Sequence, residues 1–151
     1  MSVRVGINGF GRMGRLGLRA AWGDAALEFV HINEIAGDAA ASAFLLQFDS
    51  VHGRWGHECG AVGGKMSIDG RAIGYSSNLA VGDTDWYGCD IVIEATGKWK
   101  TMDKLQTYLD QGVKKVVVAC PVEGALNIVY GVNDHLYDPA RHAIVTAASC
   151  T

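Results

Sequence analysis

Gly9-Phe10-Gly11-Arg12-Met13-Gly14 limits this chain more than any other stretch. It follows Val3, Val5 and Ile7, a short apolar run of the kind that makes a buried strand, and a helical pattern begins directly after it. The spacing is G-x-G-x-x-G. In a strand–turn–helix setting the first glycine makes the tight turn and the second lets a phosphate-bearing ligand approach the backbone. The third lets the helix pack on the strand. The N–H groups and the positive end of the helix then face the phosphates. With 20 glycines in 151 residues, such a hexapeptide also arises by chance. Its weight rests on what surrounds it.

Met13, Leu16 and Ala20, with Leu18 and Trp22 beside them, predict an apolar helix face that stops near Trp22-Gly23-Asp24, where glycine suits a C-cap. Leu27 to Asn33 reads as a second strand, so strand, turn, helix and strand fit within about 33 residues, the size of one βαβ unit. Glu34 closes that strand, 20 residues after Gly14. This is where a dinucleotide fold places the acid that holds the adenosine ribose hydroxyls. A carboxylate there accepts two hydroxyl hydrogen bonds and repels the extra phosphate of NADP, which makes NAD the expected cofactor. Alone, a strand-end glutamate is more often a solvated surface residue; the glycine turn upstream reverses that preference.

The length suits one domain with a real core. Apolar residues make up 49 % and charged residues 19 %, which excludes a disordered chain. A net charge of −3 favours neither nucleic acid nor an anionic membrane surface as a partner. No apolar run reaches the roughly 18 residues a membrane-spanning helix needs, and Gly6, Asn8 and Gly9 interrupt any secretory signal pattern. Cys59, Cys89, Cys120 and Cys150 are widely spaced, and His31, His57, His135 and His142 show no metal spacing. The expectation is a cytoplasmic globular domain with no metal site.

Asp38 is a candidate N-cap for a helix through Phe44, Leu45 and Phe48. Between residues 57 and 75 short strand-like pieces alternate with turn signals, Gly63-Gly64 and Asp69-Gly70, which predicts a hairpin excursion from the main alternation. Alternation then resumes with a strand at 90–95, a turn at Thr96-Gly97, a helix from Thr101 to Gln111 stopped by Gly112, and a strand at 115–119. Residues 127–132 and 142–147 read as two more strands. Val/Ile runs separated by helices predict a Rossmann-type, doubly wound α/β fold, its mostly parallel sheet covered on both faces and carrying a hairpin insertion.

Five motifs in order then resemble the glyceraldehyde-3-phosphate dehydrogenase family over essentially the whole chain. They are Val5-Gly6-Ile7-Asn8-Gly9-Phe10-Gly11-Arg12, Asp49-Ser50-Val51-His52-Gly53-Arg54, Glu94-Ala95-Thr96-Gly97, Tyr130-Gly131-Val132-Asn133 and Ala148-Ser149-Cys150-Thr151. The resemblance implies an NAD-binding Rossmann domain over 1–148, with 149–151 the first residues of a substrate domain. It implies oxidation of a phosphorylated aldehyde, with Cys150 as the nucleophile that forms a thiohemiacetal and then a thioester. Hydride passes to NAD, and inorganic phosphate or arsenate releases the acyl group. A cysteine at the start of a helix has its thiolate stabilised by the free N–H groups. Ser149 and Thr151 are implied at an anion site beside it. The backbones of Arg12 and Met13, with Gly9, Gly11 and Gly14, are implied at the pyrophosphate. Asn8 is implied near the adenosine side, and Thr96 and Gly97 near the ribose and nicotinamide. His52 lies in a motif that in the family serves packing and subunit contact rather than catalysis. The resemblance also implies a homo-oligomer for the full-length protein, in a glycolytic setting.

Some positions depart from the family's pattern. Glu34 stands where the glycolytic enzymes usually carry Asp, and Ala147 where Asn is usual. Lys98-Trp99 replaces a more apolar pair. Glu at the end of the second strand also resembles two sister branches, erythrose-4-phosphate dehydrogenase and the dehydrogenase associated with arsenate resistance, with a lean toward the second. The family's catalytic histidine lies well beyond its cysteine, so the 151-residue chain is expected to bind NAD without turnover. Loss of the family's returning C-terminal helix is expected to bare an apolar groove. A stand-alone NAD-binding module is the alternative reading.

Overall fold

The computed structural model describes residues 2–147, so the expectations for Ser149, Cys150 and Thr151 lie outside the described residues. The elements run β1 (Val3–Asn8), α1 (Arg12–Ala21), β2 (Leu27–Asn33), α2 (Ala39–Gln47), and the short pair β3 (Phe48–Asp49) and β4 (Gly53–Arg54). They continue as β5 (Cys59–Val62), β6 (Lys65–Ile68), β7 (Arg71–Ser76), β8 (Ile91–Glu94), α3 (Met102–Asp110), β9 (Lys115–Val118), β10 (Leu126–Asn127) and β11 (Ile144–Thr146). Nine strands form one sheet in the order β10-β11-β9-β8-β1-β2-β7-β6-β5. From β10 to β7 every neighbouring pair is parallel, and the β7-β6-β5 edge is antiparallel. The Rossmann-type fold expected from the alternation is the observed one.

Period-two side-chain placement divides β1 between two cores. Val5 and Ile7 join Leu18, Phe29, Ile32 and Leu46 on the face covered by α1 and α2. Gly6 faces the other way, where a Cβ would lie 3.0 Å from Cys89 Sγ and from the Trp86 ring, so glycine lets Trp86 lie against the strand. That second core also holds Val92, Leu105, Tyr108 and Val116, with α3 upon it. Trp86 is closed in by the Tyr108 ring at 5.5 Å and the His31 ring at 5.6 Å. Both sheet faces are therefore filled, as continuous Val/Ile strands require.

The hairpin is an extension of the sheet rather than an excursion from it, because β7 pairs in parallel with β2 through Ile32 and Tyr75. Its two turns are as the sequence suggests: Gly63 and Gly64 (φ 58° and 76°) and Asp69 and Gly70 (φ 49° and 78°) are two-residue loops with both residues left-handed, the geometry that matches strand twist.

Four local expectations need correction. On α1 the buried positions are Gly14 and Leu18, whereas Met13 is 61 % exposed; the close seat of Gly14 on the end of β1 sets the helix rotation. The helix also ends without a left-handed glycine, since Trp22 caps it in helical geometry. On α2, Ala39, Ser42, Ala43 and Leu46 are buried, and Phe44, Leu45 and Phe48 are exposed. The expected strand over 127–132 shortens to Leu126–Asn127. Asn133 then folds the chain over: its Oδ1 accepts from Val129 N at 2.7 Å, and its Nδ2 donates to the carbonyl of Asn127 at 3.0 Å.

Candidate functional site

After β1 the chain steps outward to β2 and β7, then returns to the other side of β1 as β8. The reversal leaves a crevice at the carboxyl ends of the strands, the place where open α/β sheets take ligands. A cleft of about 230 Å³ lies there. Its walls come from the four strand exits: Gly9 and Gly11 after β1, Asn33, Glu34 and Ile35 at the end of β2, Asn78 and Leu79 after β7, and Ala95, Thr96, Lys98 and Trp99 after β8. A closed ligand pocket typically measures roughly 300–1,000 Å³. This cleft is smaller than that, and the open strand ends beside it extend the surface a larger ligand could use.

The three glycines differ in what surrounds them. Gly9 has φ 89°, and a Cβ there would meet Thr96 N at 2.6 Å and Ala95 C at 2.7 Å. A Cβ on Gly14 would meet the carbonyl oxygen of Gly9 at 2.3 Å. Around Gly11 no atom comes within 4 Å of that position. So the first and third glycines are required by packing, and the second leaves room. Gly11 is also the N-cap of α1, with no side chain capping it, so the first N–H groups of the helix are available to an anion. Arg12 and Met13 are both exposed. The Arg12 guanidinium is held by Asp49 at 2.6 Å, which leaves its backbone as the part nearest the glycine turn. The backbone N–H groups of His52 and Val51, with Arg12 adding to them, hold the Asp49 carboxyl well below the usual carboxylate range.

Glu34 is half-buried at the mouth of the turn. Its Oε2 accepts from the backbone N–H of Phe10 at 2.6 Å and its Oε1 from Ala36 N at 2.8 Å. A carboxylate offers about four lone-pair sites, so two remain for ligand hydroxyls. The predicted acid and the predicted turn are thus in direct contact, which their separation in sequence only suggested.

Asn8, Thr96 and Gly97 sit at the same edge in different roles. Asn8 is 3 % exposed, and its amide donates to Glu94 Oε2 at 3.1 Å and to the Tyr108 hydroxyl at 2.6 Å. It supports the cleft from beneath. Thr96 donates its N–H and its hydroxyl to Glu94 Oε1, at 2.8 and 2.5 Å. Gly97 turns the chain at φ 70° with open space around it. Sequence reasoning did not find Glu94 as the hub of this edge, nor Tyr108, which reads as one more apolar position on α3. The available signal was that β1, β2 and β8 all end in a polar residue: Asn8, Asn33 and Glu94.

The remaining chemistry is sparse among the described residues. No group of three or more His, Cys, Asp or Glu side chains is placed to hold a metal ion. Burial pushes the Cys59 and Cys89 thiols up to about 11, so neither is a thiolate near neutral pH. A broader hollow, lined by Trp22, Asp24, Phe29 and Arg71 among others, lies at the other end of the strands. No helix among the described residues is long and apolar enough to cross a membrane.

Comparison with known proteins agrees with this geometry. The family model described as glyceraldehyde 3-phosphate dehydrogenase, NAD binding domain, matches residues 3–102. Glyceraldehyde-3-phosphate dehydrogenase 3 of Nostoc sp. is 58 % identical over the whole of this chain, which covers 46 % of that protein. The glyceraldehyde-3-phosphate dehydrogenases of Streptomyces arenae (number 1) and Geobacillus stearothermophilus are 43 % and 40 % identical, again over the whole chain and 46 % of each relative. The chain therefore spans about half the length of the curated relatives it matches.

Proposed function

This chain belongs to the glyceraldehyde 3-phosphate dehydrogenase family as its NAD-binding domain, and from that premise we propose that it is the cofactor-holding half of a phosphorylating aldehyde dehydrogenase. The observation that carries this reading is the open space at Gly11 beside a carboxylate already bonded to the same turn. A pyrophosphate fits against Gly11, Arg12 and Met13, whose N–H groups neutralise it at the start of α1. Glu34 takes the adenosine ribose hydroxyls with its two remaining acceptor sites. Ile35, Leu79 and Trp99 supply the apolar walls an adenine ring needs. Thr96 and Gly97 mark the side toward the second ribose and the nicotinamide.

When bound, NAD supplies the acceptor for the hydride that leaves the aldehyde carbon. The other roles rest on the family resemblance. Residues 1–148 are the nucleotide domain and 149–151 open the substrate domain. Cys150 attacks the carbonyl of a phosphorylated aldehyde as the thiolate, and Ser149 and Thr151 hold an anionic group beside it. Inorganic phosphate, or arsenate, then cleaves the resulting thioester. The full-length protein is proposed to be a cytoplasmic homo-oligomer.

Titrating NAD and NADP into the chain and into Glu34→Gln tests the cofactor assignment. The unmodified chain is expected to prefer NAD, because the 2′-phosphate of NADP would meet the Glu34 carboxylate, and the variant is expected to narrow that preference. Equal affinity of the unmodified chain for the two cofactors would show that Glu34 is not the ribose acid.

A further inference from the structure

Glu94 is 1 % exposed and does not line the cleft, yet a chain of hydrogen bonds runs from it to all four of the cleft's walls. Oε1 accepts from the N–H and hydroxyl of Thr96. Oε2 accepts from Asn8 Nδ2 and from the Tyr108 hydroxyl. Asn8 Oδ1 in turn accepts from Asn33 Nδ2 at 2.9 Å. Asn33 Oδ1 accepts from the backbone N–H of Asn78 at 2.9 Å and from the Ser76 hydroxyl at 2.8 Å.

This chain of bonds has a direction. A hydroxyl can reverse from donor to acceptor, but a backbone N–H cannot. Asn78 N–H obliges Asn33 to present its oxygen there, so the Asn33 nitrogen turns to Asn8. Asn8 must answer with its oxygen, which sends its own nitrogen to Glu94. At the other end Thr96 N–H is a second backbone donor. Glu94 thus meets a fixed donor at each of its two oxygens, and a carboxylate accepts at both where an amide cannot. The links also sit at the cleft: Asn33, Asn78 and Thr96 line it, and Asn8 directly precedes Gly9.

We propose that Glu94 is a positioning residue for the nucleotide cleft, setting the direction of the Asn8–Asn33–Asn78 hydrogen-bond chain that holds the four strand exits in register. The proposal rests on the reading of this cleft as the NAD site. Burial raises the Glu94 carboxyl above its ordinary range while its donors pull the other way. Tyr108 of α3 is the titratable group bonded to it, and β1 meets it with the Asn8 amide.

Glu94→Gln keeps the shape and replaces one acceptor with a donor. Whichever way the new amide turns, its nitrogen meets either Thr96 N–H or Asn8 Nδ2. NAD binding to the chain is expected to weaken by roughly tenfold, the consequence of one buried donor left facing another. Backbone amides of Gly9 and Thr96 are expected to exchange faster with solvent in the ligand-free variant. Adding Asn8→Asp restores the direction one link along. The amide at position 94 then gives its oxygen to Thr96 and its nitrogen to the new carboxylate, whose other oxygen accepts from Asn33. The double variant is expected to return to within about threefold of the unmodified affinity, a strongly non-additive result.

Unchanged NAD affinity in Glu94→Gln would overturn the proposal, as would a double variant no tighter than the single one. Should Glu94→Gln fail to fold, the double variant decides: folding with recovered binding supports the directional chain, and its failure overturns it. Should the unmodified chain bind no NAD, the reading of the cleft falls instead. The ligand-free exchange rates then decide: faster in the single variant and restored in the double supports the chain of bonds, and any other pattern overturns it.

Discussion

Gly9 and Gly11 are two residues apart in one turn, yet replacing each with alanine should damage different properties. At Gly9 the backbone is left-handed and the added Cβ would press on the Thr96 and Ala95 backbone at 2.6–2.7 Å. The conformation costs about 1–2 kcal/mol and the overpacking about 1–3 kcal/mol more. For a domain of this length each kcal/mol moves the midpoint by about 2–4 °C, so Gly9→Ala should melt roughly 5–20 °C lower. At Gly11 φ is −68° and the space is open. Alanine is a poorer N-cap than glycine, but it restricts the unfolded chain, and the two effects nearly cancel. Gly11→Ala should therefore melt within about 2 °C of the unmodified chain. Its methyl group would stand in the space that the proposed site gives to the pyrophosphate, so NAD affinity should fall on the order of ten- to hundredfold. Differential scanning calorimetry and NAD titration on the same preparations separate the two. A Gly11→Ala chain that melts as low as Gly9→Ala and binds NAD normally would refute the assignment of packing to one glycine and ligand space to the other.

Two further outcomes follow from particular contacts. Asp38 caps α2 by accepting from Ala41 N at 2.8 Å; Asp38→Ala should cost about 1 kcal/mol and Asp38→Asn much less, read from urea midpoints. Asp49, Asp69, Asp90 and Asp103 all have carboxyl pKa values lowered, chiefly by hydrogen bonds. Their stabilisation is present above the unfolded value of about 4 and is lost as pH falls through the lowered folded values. Glu94 works in the opposite sense, because a raised carboxyl contributes stability below its unfolded value and loses it as pH rises. The Glu94 change lies above its unfolded value, so between about pH 4 and pH 2 the aspartates decide, and the melting midpoint should fall, less steeply in Asp90→Asn. A midpoint that holds or rises over that range would contradict this balance.

What could be read from the sequence was local. The β1–turn–α1–β2 unit and the two hairpin turns follow from short-range sterics, as at Asp69 and Gly70, and the pattern of neighbours expresses those directly. Which face of a helix is buried depends on the partner. Met13 and Leu16 have the right spacing for a buried stripe, but Gly14 must seat against Gly9, and that contact turns Leu18 inward instead. Phe44, Leu45 and Phe48 are apolar and remain exposed, for which the described residues offer no covering element. Residues 127–132 have strand composition, yet Asn133 supplies hydrogen bonds that bend the backbone before it can extend a ladder. In the site, Glu34 and the glycines were legible because their spacing reports a single βαβ unit. The Glu94 chain was not, since it joins residues up to 100 positions apart, and its logic lies in donor direction rather than in residue type.

The central claim is that the crevice formed by Gly9, Gly11 and Glu34 holds NAD. The most direct test is an NAD titration of the isotopically labelled chain, followed at every backbone amide by NMR. Saturable shifts centred on residues 9–14, Glu34, Ile35 and Thr96–Trp99 are the result this account predicts. Shifts centred instead on Trp22, Asp24 and Arg71 at the other end of the strands, or no saturable shift at all, would contradict it.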